Sequence, residues 1–161
     1  MAVTRRRLAA PIDAVASVFA DPRTYDGIVV GSRRIRWFDP NWPAVGSRFD
    51  HTIGFGPITI LDHTEVLSEE LPERLELAAG IRPLGVFRVE FRLAPDAGGT
   101  MVEVVEEPLS GPITTLWSPP ADALTAKRND VLLGRLDHLA KDRHRVRTLD
   151  RAPGPDAVQH A

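Results

Sequence analysis

The chain has 161 residues, 43% hydrophobic and 26% charged, with a net charge of −2, the make-up of one ordinary globular domain with a genuine core. That charge gives no reason to expect nucleic acid or an anionic membrane as partner, and no apolar run approaches the roughly 18 residues of a membrane span. The complete lack of cysteine excludes disulfides, thiolate catalysis and cysteine-bound metals.

Val3 to Leu8 can form a short strand whose Arg5, Arg6 and Arg7 suit an exposed edge. The Ala9-Ala10-Pro11-Ile12-Asp13 that follows is no secretory apolar segment, so a cytoplasmic location is expected. Pro11 suits a first helical position, and Ile12, Val15, Ala16 and Phe19 recur at helical spacing. Asp21 as N-cap and Pro22 at the first position predict a second, short helix, soon interrupted at Gly27.

From residue 32 the period changes to two. Ile35 and Trp37 alternate with Arg34 and Arg36, and Asp39-Pro40-Asn41 turns the chain. Phe49, His51 and Ile53 form the next set, ending in the hairpin signal Gly54-Phe55-Gly56-Pro57. Ile58, Ile60, Asp62, Thr64 and Val66 share a face of a long strand broken at Leu71-Pro72-Glu73, and Leu75, Leu77 and Ala79 mark another. Phe87, Val89, Phe91 and Leu93 alternate with Arg88, Glu90 and Arg92. After Asp96-Ala97-Gly98-Gly99, Val102, Val104 and Glu106 face one way and Glu103, Val105 and Glu107 the other. Such short loops imply an antiparallel meander, and its apolar face must be covered.

Ser118 as N-cap and Pro119 at the first position announce a helix over 119–141, the one element long enough for that task. At about 100° per residue, Ala121, Leu124, Val131, Leu132, Leu136 and Leu139 fall on one side, with Arg128 near the middle and Arg135 close to it. An arginine there needs a carboxylate partner or a polar cavity. Beyond Lys141, Arg143, Arg145 and Arg147 lead to Pro153-Gly154-Pro155, and 142–161 reads as a flexible C-terminal extension.

Several stretches carry a likeness to a known group. They are Ala10-Pro11-Ile12-Asp13-Ala14-Val15, Phe19-Ala20-Asp21-Pro22-Arg23-Thr24-Tyr25, Val45-Gly46-Ser47-Arg48-Phe49, Thr64-Glu65-Val66-Leu67, Leu71-Pro72-Glu73-Arg74-Leu75, Gly99-Thr100-Met101-Val102 and Glu106-Glu107-Pro108. With the element order, about residues 3–141, within a domain over 1–141, resemble the START-like, Bet v 1-like (SRPBCC) superfamily, in its bacterial polyketide cyclase/dehydrase and lipid-transport branch. The resemblance implies an α+β helix-grip fold, with two short helices after the first strand. A curved antiparallel sheet of about seven strands would wrap around the long C-terminal helix and leave an apolar cavity between them. It says little of chemistry, because carriers, cyclases, aromatases and chaperone activators share that scaffold.

If the face carrying Phe49, Val66, Leu75, Phe91 and Val104 is the inner one, its polar members are His51, Asp62, Thr64 and Glu106. Arg128 is then the natural counter-charge for Glu106 or Asp62. A bulge near Gly54 or Pro57 would turn His51 or Asp62 outward. Trp37, Phe49, Ile60, Leu77, Phe91, Val104, Leu124 and Leu132 are the candidate apolar wall, although Trp37 and Trp42 read more readily as core and loop anchors than as a ligand-stacking cage. Trp117 stands where it could help close the mouth. The expected partner is a small hydrophobic ligand, lipid-like or aromatic and polyketide-like, held by a monomer or homodimer. A cyclase or dehydratase would instead use His51 or Glu106 as general acid/base and Arg128 to stabilise an enolate oxygen. A protein-interaction role like that of the chaperone activators would need an exposed apolar patch.

Neither metal nor cofactor is expected. His51, His63, His138, His144 and His160 show no paired spacing such as His-Glu-x-x-His. Gly54-x-Gly56 lacks the strand–turn–helix setting of a dinucleotide site, and no Gly-x-Ser-x-Gly elbow occurs.

Overall fold

Alternating apolar residues and tight turns produce seven strands, and the computed structural model describes them within residues 1–151. The strands are β1 (Ala2–Leu8), β2 (Ser32–Phe38), β3 (Arg48–Phe55), β4 (Ile58–Glu70), β5 (Arg74–Ile81), β6 (Gly85–Asp96) and β7 (Gly99–Ser110). They form one antiparallel sheet in the order β1-β7-β6-β5-β4-β3-β2. Between β1 and β2 lie helix α1 (Ile12–Phe19), a 3₁₀ turn (Pro22–Thr24) and helix α2 (Tyr25–Ile28). A short helix, α3 (Ile113–Leu116), precedes the long α4 (Pro119–Arg151). This is the helix-grip architecture.

Local chemistry sets the boundaries. Asp21 accepts a hydrogen bond from the Arg23 amide at 3.1 Å and so caps the 3₁₀ turn, with Pro22 at its first position. Pro11 is extended and stands just before α1 rather than in its first turn. Gly56 adopts a positive φ of 61° in the two-residue turn that pairs Phe55 with Ile58. No bulge interrupts the β3–β4 pairing, and His51 and Asp62 are opposite one another on the inner face.

Register aligns the inner face in rows. Leu75 pairs with Phe91, which pairs with Val104; Leu77 pairs with Val89, which pairs with Glu106. Against one end of this face pack Val15, Val18 and Phe19 of α1 and Leu133, Leu136 and Ala140 of α4, all fully buried or nearly so. Tyr25, Trp42 and Phe49 cluster beside them, with ring centroids 4.9 to 5.5 Å apart. The Trp42 indole and the Tyr25 hydroxyl both donate to the Phe19 carbonyl, at 3.0 and 3.2 Å. That end is solid.

Among the described residues, no second layer covers the outer face of the sheet, which carries paired charges. Arg74 bridges Glu70, Glu76 and Glu90; Arg92 bridges Glu90 and Glu103; Arg88 lies between Glu76 and Glu107; Arg5 binds Glu103. Hydrogen bonds from Arg92, and then from Arg74, hold the Glu90 carboxyl below its ordinary range despite its burial.

Helix α4 differs from the expected one in two respects. It continues past Lys141 to Arg151, because no helix breaker occurs before Pro153, so 142–151 is not a separate extension. Arg143 belongs to its anchoring, donating to the Ser17 carbonyl at 2.6 Å and to Asp21 at 2.8 Å. Asp137 likewise accepts from the Ala9 amide at 2.8 Å. The expected loose Pro153-Gly154-Pro155 tail, with His160, lies outside the described residues. The second difference is the buried stripe, which runs through Asn129, Leu132, Leu133, Leu136 and Ala140. It is centred roughly 80° around the helix from the stripe expected at 100° per residue. Leu124 and Val131 are exposed in consequence, and Arg135 points to solvent. Among the described residues, no helix is long and apolar enough to cross a membrane.

Candidate functional site

Away from the solid end, sheet and helix diverge around a cavity of about 400 Å3. Its sheet wall includes Phe49, Leu77, Phe87, Val89 and Phe91, with His51 and Thr64 toward β3 and β4 and Glu106 on β7. Arg128, Asn129 and Leu132 of α4 form the roof, and Val29 to Gly31, between α2 and β2, close one side with Ser32 at the start of β2.

The polar groups fall into two sets. Arg128 Nη2 donates to both Glu106 carboxylate oxygens, at 2.6 and 2.5 Å. The Glu106 side chain is 3% exposed and that of Arg128 33%, because Arg128 lies at the margin of the buried stripe and reaches the cavity from its edge. Across the sheet, His51 Nε2 lies 3.4 Å from the Thr64 hydroxyl, and the ring meets Phe49 edge-on with centroids 5.3 Å apart. Burial lowers the His51 pKa, only partly opposed by the nearby Asp62 charge, so the imidazole is neutral at pH 7. Strands β4, β5 and β6 separate His51 from Glu106. Four interstrand steps of about 4.8 Å amount to roughly 19 Å along the sheet. The two candidate acid/base groups are on opposite walls.

Of the residues singled out from sequence, Arg128, Glu106, His51, Phe49, Leu77, Phe91 and Leu132 line the cavity. Five others do not. Trp37 is 48% exposed, because a register shift between Ile35 and Trp37 breaks the alternation and turns the indole outward, under the Arg48 guanidinium. Leu124 is 71% exposed on the solvent side of α4. Val104 is fully buried, but in the packed core. Ile60 is half-buried opposite Ile53 near the β3–β4 turn, outside the cavity walls. Asp62 does face inward, yet its carboxylate is occupied by the backbone, accepting from the His63 amide at 2.8 Å and the Arg82 amide at 2.6 Å. It lies over Gly80, where a Cβ would come within 1.9 Å of its Oδ1. Asp62 clamps the β5–β6 turn and is not the counter-charge of Arg128.

Sequence reasoning missed Asn129 and Ser32, both in the wall. Asn129 had a legible signal: it is three, four and seven residues before Leu132, Leu133 and Leu136, on their helical face. Ser32, beside Gly31 with its positive φ of 91°, had none beyond a turn glycine. Trp117 stacks edge-on against Phe87, centroids 5.2 Å apart, and donates to Asp122 at 2.7 Å, so it ties the start of α4 to the sheet. Among the described residues, no three histidine or acidic side chains come together in a way that could hold a metal ion.

No family model and no curated protein matches the chain. Solved structures of the same shape do. A protein from Nitrosomonas europaea superposes with a TM-score of 0.66 at 15% identity, over 89% of this chain and 95% of that one. The di-domain ARO/CYC StfQ of the steffimycin biosynthetic pathway gives 0.67 at 9% identity, over 88% of this chain and 50% of StfQ. DynU16, from the dynemicin biosynthetic locus, gives 0.61 at 18% identity, over 87% of this chain and 46% of DynU16. Identities this low speak to architecture alone, and they agree with the strand order and the long terminal helix: the chain has the helix-grip fold that its START-like resemblance implied.

Proposed function

We propose that the chain binds a small, largely apolar molecule in the cavity between sheet and α4, with the Glu106–Arg128 pair and neutral His51 orienting its polar groups. The observation that carries this is a 400 Å3 hollow of mostly apolar lining with a buried ion pair on one wall and an uncharged imidazole on the other. A ligand hiding about 200 Å2 of apolar surface there would gain about 5 kcal/mol at about 25 cal/mol per Å2. Native mass spectrometry of freshly purified protein should show a co-purifying small molecule. Filling the space with Ala79→Phe or Val89→Phe should expel it while the circular dichroism spectrum is kept. Retention of the molecule by both folded variants would place its site elsewhere.

One observation favours a second reading, cyclase- or dehydratase-type chemistry on a polyketide-like substrate. A buried, neutral His51 on an apolar wall is able to accept a proton. Glu106 is a poor base, since both its oxygens are engaged by Arg128. StfQ and DynU16, both from biosynthetic settings, make polyketide-type compounds the natural first substrates to assay. Absence of turnover by wild-type protein would dispose of this reading, and turnover that persists in His51→Gln would dispose of His51 as its base.

A further inference from the structure

At the solid end of the molecule a second hollow opens on the surface, a cleft of about 480 Å3. Its charged and aromatic lining is Asp21, Arg23, Phe38, Arg143 and Arg147. It shares no lining residue with the cavity under α4. Along the helix, Leu132 of the cavity and Arg143 of the cleft are roughly 16 Å apart at about 1.5 Å per residue. The buried Leu133, Leu136 and Ala140 lie between them.

Asp21 is the one acid in the lining, and its oxygens are fully engaged. It accepts from the Arg23 amide at 3.1 Å, from Arg23 Nε at 2.8 Å and Nη2 at 3.2 Å, and from Arg143 Nη2 at 2.8 Å. Against its burial, the hydrogen bonds from Arg23 and Arg143 hold the Asp21 carboxyl below its ordinary range, so it is charged at pH 7. Three guanidiniums against one carboxylate leave two positive charges in excess. Arg147 is exposed and has no ion-pair partner among the described residues. It stands one helical turn from Arg143, a like-charge spacing that costs helix stability. The Arg23 side chain is 73% exposed, and its Nη1 is not among the atoms that bind Asp21. Donors and charge are left over here, in a concave place.

We propose that this cleft is a second binding site, which takes a phosphate monoester whose organic part is a flat ring. Such a phosphate carries about −1.5 to −2 charges at pH 7 and three strong acceptor oxygens, which match two excess charges on planar guanidinium forks. A carboxylate would leave one of those charges unbalanced. Arg147 and the outer edge of Arg23 grip the phosphate, while Arg143 keeps its contacts to Asp21 and the Ser17 carbonyl and contributes its charge. Phe38, 38% exposed at the end of β2, offers a ring against which the organic part packs. The cleft and the apolar cavity can be filled independently.

The test is an amide NMR titration of the full chain at pH 7 and low ionic strength, with phenyl phosphate, inorganic phosphate and phenol as probes. Phenyl phosphate should shift the amides of Arg23, Phe38 and Arg147 and leave those of Leu77 and Val89 in the cavity unmoved. It should bind about five-fold more tightly than inorganic phosphate, and phenol should shift none of these amides. Arg147→Gln breaks no contact of the fold and should weaken phenyl phosphate about ten-fold, the loss of a hydrogen bond between charged groups. Arg135→Gln makes the same charge change at a solvent-facing arginine of the same helix and should leave the affinity within about two-fold. Phe38→Ala should bring phenyl phosphate down to the affinity of inorganic phosphate and leave the latter as it was. Equal losses in the two arginine variants would reduce the cleft to general attraction of anions and overturn the assignment. So would phenyl phosphate binding no tighter than inorganic phosphate, shifts confined to the cavity amides, or no binding of either phosphate.

Discussion

Arg128→Met removes the cation of the cavity's one ion pair and leaves the apolar stem in place. The partner left behind, Glu106, is 3% exposed, on an inner sheet face where Val89 is its pairing neighbour. Breaking a fully buried pair from one side costs about 3–5 kcal/mol, because the surviving charge is stranded. The Arg128 side chain is 33% exposed, so water can reach the gap it leaves, and the lower end applies, about 3 kcal/mol. For a domain of this size that lowers Tm by about 6–12 °C. The double variant Arg128→Met with Glu106→Leu strands nothing and should return to within about 1 kcal/mol of wild type. Urea denaturation followed by tryptophan fluorescence measures all the corners of this cycle. A single variant within about 0.5 kcal/mol of wild type, or a double variant as unstable as the single, would refute the buried pair as an energetic unit.

Two other expectations follow from groups whose environment is equally specific. Burial lowers the His51 pKa from its ordinary 6.5, so the unfolded chain takes up that proton first; this contribution to stability is complete above pH 6.5 and lost as pH falls below it. Wild-type protein should therefore lose stability below pH 6.5 before the carboxylates titrate, and His51→Gln should flatten that part of the curve; identical curves for the two would contradict the assignment. Asp62→Ala should destabilise by about 3 kcal/mol, since two backbone amides lose a charged acceptor, and hydrogen exchange at Arg82 should accelerate while the molecule co-purifying in the cavity is retained; its loss with unchanged exchange would return Asp62 to the binding wall.

How much of this was legible depends on the range of the interaction involved. Alternation in Phe87, Val89, Phe91 and Leu93 is a property of neighbouring residues, and the strand it implied is there. The same reasoning placed His51 and Glu106 on the inner face, because period two needs no knowledge of partners, whereas Arg128 was expected in the middle of the helix stripe and lies at its margin. Trp37 failed for the opposite reason: a bulge is set by how β2 meets β3, and shifts the alternation by one. Leu124 and Val131 drew the apparent stripe of α4 toward themselves, but whether a helical leucine is buried depends on there being a wall opposite it. Asp62 was correctly given an inward direction, yet its partners are amides, one of them twenty positions along the chain, which no side-chain pattern displays. Asn129 was overlooked because an amide counts as polar in a hydrophobicity reading, although its spacing from three leucines was in plain view.

The charge lattice on the convex side has a mechanical meaning. Arg5, Glu103, Arg92, Glu90, Arg74 and Glu76 reach across β1, β7, β6 and β5, and Glu70 extends the chain of contacts to β4. Like a hoop drawn around staves, it links neighbouring strands whose other face walls the hollow. Because paired surface charges weaken as salt rises, cohesion between these strands should fall with ionic strength on the side of the sheet that faces away from the cavity.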